Sequence, residues 1–199
     1  MIFHDFSGKF VSLNSNLMKK NFFSLIIFLA PVILFAQEGP LWMRNPAISP
    51  DGKTIVFNYQ GDLYTVDARG GEADILTYHP AWDGDACWSP NGQMIAFRSQ
   101  RYGSTDGYII PAEGGVPKRM TTHSSSVKVQ TFSPDSKELL YVSHLQDDPK
   151  NAEFPTGLFP ETYSVSVEGG RPHRVLATTV LNARYSKDGR YLIYNDIKG

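Results

Sequence analysis

Trp88-Ser89-Pro90-Asn91-Gly92-Gln93-Met94-Ile95-Ala96-Phe97 decides the fold, because the chain repeats its pattern four times. The other copies start at Ile48-Ser49-Pro50-Asp51-Gly52, Phe132-Ser133-Pro134-Asp135-Ser136 and Tyr185-Ser186-Lys187-Asp188-Gly189. The four serines stand 40, 44 and 53 residues apart, a spacing that marks a repeat architecture. Six residues beyond each serine comes Ile55, Ile95, Leu139 or Leu192, and eight beyond comes Phe57, Phe97, Tyr141 or Tyr194. Side chains two apart share one face of a strand, so these columns predict a buried sheet face. The residues between them, Val56, Ala96, Leu140 and Ile193, are apolar too. Both faces are then covered, as in sheets stacked between neighbouring sheets.

A second block recurs in phase. Tyr64, Tyr108 and Tyr163 each stand six residues before a glycine pair: Gly70-Gly71, Gly114-Gly115 and Gly169-Gly170. Leu76, Met120 and Val175 follow five residues after those pairs. Glycine pairs supply the positive φ of a tight hairpin, and Asp-Gly or Asn-Gly does so between the first two strands. Each unit thus holds four short strands, here called a to d. Four antiparallel strands in about 40 residues make a β-propeller blade. The expected class is all-β, a propeller of four-stranded antiparallel blades with about three and a half blades present. The blades fall at about 45–80, 84–124, 128–179 and 182–199, the last incomplete. A sandwich would not repeat several columns at fixed offsets, and no stretch after Gln37 sustains a helical period.

Upstream of the repeat, Lys19 and Lys20 precede an uncharged apolar stretch from Phe22 to Phe35. Its 14 residues are fewer than the roughly 20 needed to span a bilayer, and Pro31 interrupts it. Residues 18–36 therefore read as a signal peptide starting at Met18, with residues 1–17 an upstream extension and cleavage after Ala36. Leu34, at −3, is larger than the usual small residue there. Export to the periplasm or beyond is expected, with no membrane anchor after cleavage. Residues 37–199 form the partial propeller. Without the leader the chain has 16 basic and 19 acidic side chains, so no basic field announces nucleic acid. The single cysteine, Cys87, excludes an intrachain disulfide framework.

The repeat, with its Thr-rich last strand, resembles the WD-like repeats of TolB-type propellers over residues 45–199. The opening Leu41-Trp42-Met43-Arg44-Asn45-Pro46-Ala47-Ile48 and the segment Asn151-Ala152-Glu153-Phe154-Pro155-Thr156-Gly157-Leu158-Phe159-Pro160-Glu161 resemble the N-terminal propeller of exported tricorn-type serine peptidases. The resemblance implies a non-catalytic propeller that guides or filters peptide substrates. It also implies further blades and a catalytic domain as partners. The alternative is a TolB-like periplasmic propeller that acts as a protein-binding module. None of the peptidase family's catalytic motifs has a counterpart here. No catalytic, cofactor-binding or metal residue is assigned.

Strand order places the a–b and c–d turns on one face, and the b–c loops and d–a links on the other. The second face is where the units differ. From strand b to strand c the spacing is 7, 11 and then 22 residues, which gives the third unit an insertion near 146–160. Loop length is cheap in entropy and is commonly kept for contacts. His79, Trp82, Asp83, His123, Asp147, Asp148 and Phe154 are therefore the candidate contact residues. His79 and His123 share a repeat position beside Asp83 and Asp85. Two histidines without a fixed third ligand are a weak zinc signal, and a shared local hydrogen bond is the plainer reading. Ser49, Ser89, Ser133 and Ser186 read as turn residues bonding their own backbone. Gly103-Ser104-Thr105-Asp106-Gly107 lacks the nucleophile-elbow spacing.

Overall fold

A computed structural model of the protein describes residues 42–122, 125–144, 160–176, 178, 180–186 and 188–196. Its repeating motif is the hairpin that the serine column closes. Ser49 Oγ donates to Asp51 Oδ1 at 2.6 Å and accepts the Thr54 N–H at 2.9 Å. Asp51 Oδ1 also takes the Lys53 N–H at 3.1 Å. The same three bonds recur at Ser89–Asn91, Ser133–Asp135 and Ser186–Asp188. A tight turn leaves backbone amides without ladder partners, and these side chains satisfy them locally. The fourth turn residue is left-handed in all four copies: Gly52 at φ 75°, Gly92 at 72°, Gly189 at 71° and Ser136 at 62°.

Each turn joins strands a and b of one sheet. The first sheet is β1 (Arg44–Ile48), β2 (Thr54–Tyr59), β3 (Asp62–Asp67) and β4 (Asp74–Ile75). The second is β5 (Asp83–Trp88), β6 (Met94–Tyr102), β7 (Ser104–Pro111) and β8 (Lys118–Arg119). The third is β9 (Lys128–Phe132), β10 (Glu138–Ser143), β11 (Glu161–Ser166) and β12 (His173–Leu176). The last has β13 (Val180–Tyr185) and β14 (Leu192–Asp196). All pairings are antiparallel and follow chain order, so the architecture is three blades and half of a fourth in an incomplete propeller. Among the described residues there is no helix.

Alternation along strand b builds the packing between blades. Ile95 and Phe97 point toward the first blade and pack with Val56 and Leu63. Ala96, between them, points the other way and packs with Phe132, Leu139 and Tyr141 of the third blade. Inside each complete blade a b–c pair stacks its rings: Phe57 on Tyr64, Phe97 on Tyr108, Tyr141 on Tyr163, with centroids 5.9, 5.6 and 5.8 Å apart. These are directly opposed residues in register, and such pairs contribute about 0.5–1.5 kcal/mol beyond area burial. At the two outer faces some apolar repeat positions lie open, although Phe57 stays buried. Ile48 is 58% exposed where its counterpart Phe132 is 1%, and Ile193 is 64% exposed where Ala96 is 0%.

Backbone bonds tie each blade to the next. The amide that opens strand a, or directly precedes it, donates to a carbonyl near the start of the preceding strand c. The pairs are Asp83 to Gly61 at 2.7 Å, Val127 to Thr105 at 2.8 Å and Val180 to Pro160 at 3.1 Å. Trp88, which falls in a core column, also has an inter-blade role: its indole N–H donates to the Ala47 carbonyl at 3.0 Å. Strands β1, β5, β9 and β13 touch in succession and form the inner wall of the arc.

Candidate functional site

Every inner strand is bulged near its start. The register with strand b shifts between Arg44 and Ala47, between Gly84 and Cys87, and between Val180 and Ala183; in β9 it shifts opposite Leu140 and Tyr141. A bulge inserts a residue and re-aims its side chain. At the first two bulges Asn45 and Asp85 adopt left-handed φ of 49° and 51°, a region that Asn and Asp tolerate better than most residues. Because strand a begins at the face of the b–c loops and d–a links, the bulges lie along the arc's inner wall at one mouth of the partial channel. The resulting cavity is about 620 Å³, and its wall includes Asn45, Asp85, Lys128, Gln130, Asn182 and Arg184.

The mouth is a polar network that crosses the blades. Asn45 Nδ2 donates to Asp85 Oδ1 at 2.6 Å, and Arg98 pairs with the other carboxylate oxygen. Asn58 accepts the Asp85 N–H at 3.2 Å and donates to the Asp83 carbonyl. Lys128 Nζ reaches the Leu181 carbonyl at 3.2 Å and Asn182 Oδ1 at 2.8 Å, while Gln130 Oε1 accepts the Ala183 N–H at 3.0 Å. Burial holds the Arg98 guanidinium below its ordinary pKa. Burial lowers Lys128 too, with the charges of Arg98 and Arg184 adding to it.

The residues singled out from sequence take different places. Trp82 is 38% exposed, with the Arg98 guanidinium 5.5 Å from its ring centroid. Its indole lies directly on Gly84, where an added Cβ would clash with the ring. Asp83 is fully buried and pairs with Arg101 at 2.7 Å, so it braces the wall rather than facing a ligand. Arg101 in turn packs over the rings of Phe97 and Tyr108. His79 Nδ1 accepts the Ala81 N–H at 3.0 Å, and its own backbone N–H donates to Asp62 Oδ1 at 3.0 Å. That histidine organises its own turn. His123, Asp147, Asp148 and Phe154 lie outside the described residues, as does the insertion except for Pro160.

Sequence reading did not single out Asn45, Lys128, Asn182 or Arg98 as contact residues. The available signal was an Asn or Asp four residues before three of the four turn serines, at Asn45, Asp85 and Asn182.

Among the described residues, the nucleophile candidates weighed from the sequence are engaged or quiet. The turn serines Ser49, Ser89, Ser133 and Ser186 donate to an Asp or Asn of their own turn. Ser104 donates to Asp106 at 3.2 Å, and Asp106 also holds Arg119 and Thr121. Burial pushes the Cys87 thiol up to about 12, against the opposing pull of the Arg184 charge. A protonated thiol is a poor nucleophile.

Comparison with known proteins gives a consistent pattern. The family model of the Tricorn protease N-terminal beta propeller domain matches residues 40–199. An uncharacterised protein of Agrobacterium fabrum is 28% identical over 164 residues, covering 79% of this chain and 52% of that protein. Tricorn protease homolog 1 of Streptomyces coelicolor is 30% identical over 98 residues, covering 46% of this chain and 8% of that one. A solved structure from Agrobacterium tumefaciens, assigned there as TolB, superposes with a TM-score of 0.63 at 25% identity. That match covers 79% of this chain and 55% of the solved one. The chain thus spans about half the length, or less, of these relatives.

Proposed function

Because the chain belongs to the Tricorn protease N-terminal beta propeller family, we propose that it is the non-catalytic, substrate-guiding propeller segment of an exported tricorn-like serine peptidase. It receives extended peptides at the channel mouth and passes them to catalytic machinery elsewhere in the parent protein. The observation that carries this reading is the run of bulged inner strands at one mouth, where Asn45, Asp85, Lys128 and Asn182 line a common cavity. On the a–b side each turn serine and its Asp or Asn satisfy one another and the turn amides. At the other mouth the bulged strands turn side-chain amides and charged groups toward a cavity of about 620 Å³. Irregular, polar positions on a rigid scaffold are where binding groups are commonly placed. Export rests on the leader reading of residues 18–36 and belongs to the same proposal.

A second reading has its own support in the likeness to TolB-type propellers. On it, the chain is a periplasmic binding module whose ligand is a folded protein. Full-length chain mixed with fluorescent, unstructured peptides distinguishes the two. Saturable anisotropy change with peptides that mass spectrometry finds intact is expected for substrate guiding. Absence of peptide binding together with capture of a folded envelope protein would favour the module. Cleavage that survives repurification would overturn the non-catalytic claim.

A further inference from the structure

We propose that the channel mouth selects acidic peptides, binding their side-chain carboxylates through Lys128 and Arg184. The proposal deepens the peptide-guiding reading and rests on it. Among the described residues, three charged side chains line the cavity: Asp85, Lys128 and Arg184. Asp85 is already neutralised, held by Arg98 on one oxygen and Asn45 on the other. Lys128 and Arg184 have no carboxylate within ion-pair distance among the described residues. Two protons of the Lys128 ammonium are directed at the Leu181 carbonyl and Asn182 Oδ1, which fixes the head group and leaves a third donor.

Arg184 departs from its own repeat column. Its counterparts Ala47, Cys87 and Thr131 are small, and all three line the same cavity. A long cation among small residues fills space that the repeat otherwise leaves empty. Arg184 adds a planar fork suited to a carboxylate, and Lys128 adds a point charge on the wall of the same cavity. Burial disfavours the charged form of Lys128 most, and the charges of Arg98 and Arg184 disfavour it further. An incoming anion relieves that repulsion. The chain as a whole carries a net charge of −1, so the positive mouth is local rather than a property of the surface at large. Such a field attracts acidic segments and repels basic ones. Asn45 and Asn182 flank the cations with amide groups suited to a peptide backbone.

The test uses full-length chain and three ten-residue peptides. One carries glutamates and has acetylated and amidated ends; the second replaces each Glu with Gln; the third is neutral with a free C-terminal carboxylate. The Glu peptide is expected to bind at least tenfold more tightly than the Gln peptide. Lys128→Gln with Arg184→Ala is expected to abolish that difference, and 0.5 M NaCl to shrink it, whereas Arg69→Ala on an exposed turn leaves it intact. Arg184→Ala restores the side chain that the first blade carries at this column, so folding is retained; unchanged circular dichroism checks it. Equal binding of the Glu and Gln peptides overturns the selectivity while leaving peptide guiding in place. Binding of the free-carboxylate peptide alone overturns it in favour of chain-end recognition. Failure of every peptide to bind removes both this proposal and the reading beneath it.

Discussion

Ser136 stands where the other three turns have glycine, at φ 62°, in a region that costs a residue with a Cβ about 1–2 kcal/mol. It is buried, and its hydroxyl accepts the Asn91 N–H of the preceding blade at 3.1 Å, a bond worth roughly 1 kcal/mol net. The two effects are of similar size and opposite sign. Ser136→Gly should therefore leave stability within about 1 kcal/mol of the parent, because relief of the left-handed strain offsets the lost bond. Ser136→Ala keeps the strain and loses the bond, and should cost about 1 kcal/mol or more. Urea midpoints of the two variants check the order; a glycine variant as unstable as the alanine one would contradict it. At this scale the sequence was informative about the turn and silent about the bond. A serine in a glycine column is visible in the alignment, but its partner lies 45 residues away.

Hairpin turns are the element that the sequence specifies best, since one serine and one Asp or Asn close each of them. The serine hydroxyl, then the backbone amides of Lys53, Lys137 and Arg190, hold the carboxyls of Asp51, Asp135 and Asp188 below the usual carboxylate value. A carboxyl with a lowered pKa in the folded state stabilises the fold above its unfolded value. That contribution is lost as the pH falls through the folded one. The second turn uses Asn91, which makes the same bonds without titrating. Replacing Asp51, Asp135 and Asp188 together by Asn should flatten the acid limb of the stability profile while leaving stability near pH 7 little changed. NMR titration of the parent is the direct check; Asp51 titrating at the ordinary carboxylate value would contradict the account. The outer strands were less legible. Strands β4 and β8 hold two residues each, too few for any periodicity, and only pairing with β3 and β7 defines them. The bulges of the inner strands were hidden for a related reason. Period-two reasoning presumes regular pleating, and an inserted residue breaks it at the positions that line the channel.

Across the whole molecule, the blade repeat was readable because stacking leaves a periodic apolar trace on both faces of strand b. The channel was not, because it is assembled from four strand starts far apart in sequence. Trp82 could be singled out as a contact residue, yet neither its rest on Gly84 nor its stack with Arg98 follows from spacing. Asp83 has the residue type of a ligand group and the burial of a structural one. What separates those roles is the partner, Arg101, eighteen residues away and on the neighbouring strand. The central claim is that peptides meet this propeller at the bulged mouth and leave it uncut. A photo-crosslinking map tests it most directly, with a benzophenone-bearing unstructured peptide irradiated on the full-length chain and the adducts located by mass spectrometry. The account predicts intact peptide attached near Asn45, Trp82, Lys128 and Asn182. Adducts concentrated on the Ser-Pro turns of the opposite face, or peptide recovered as fragments, would contradict it.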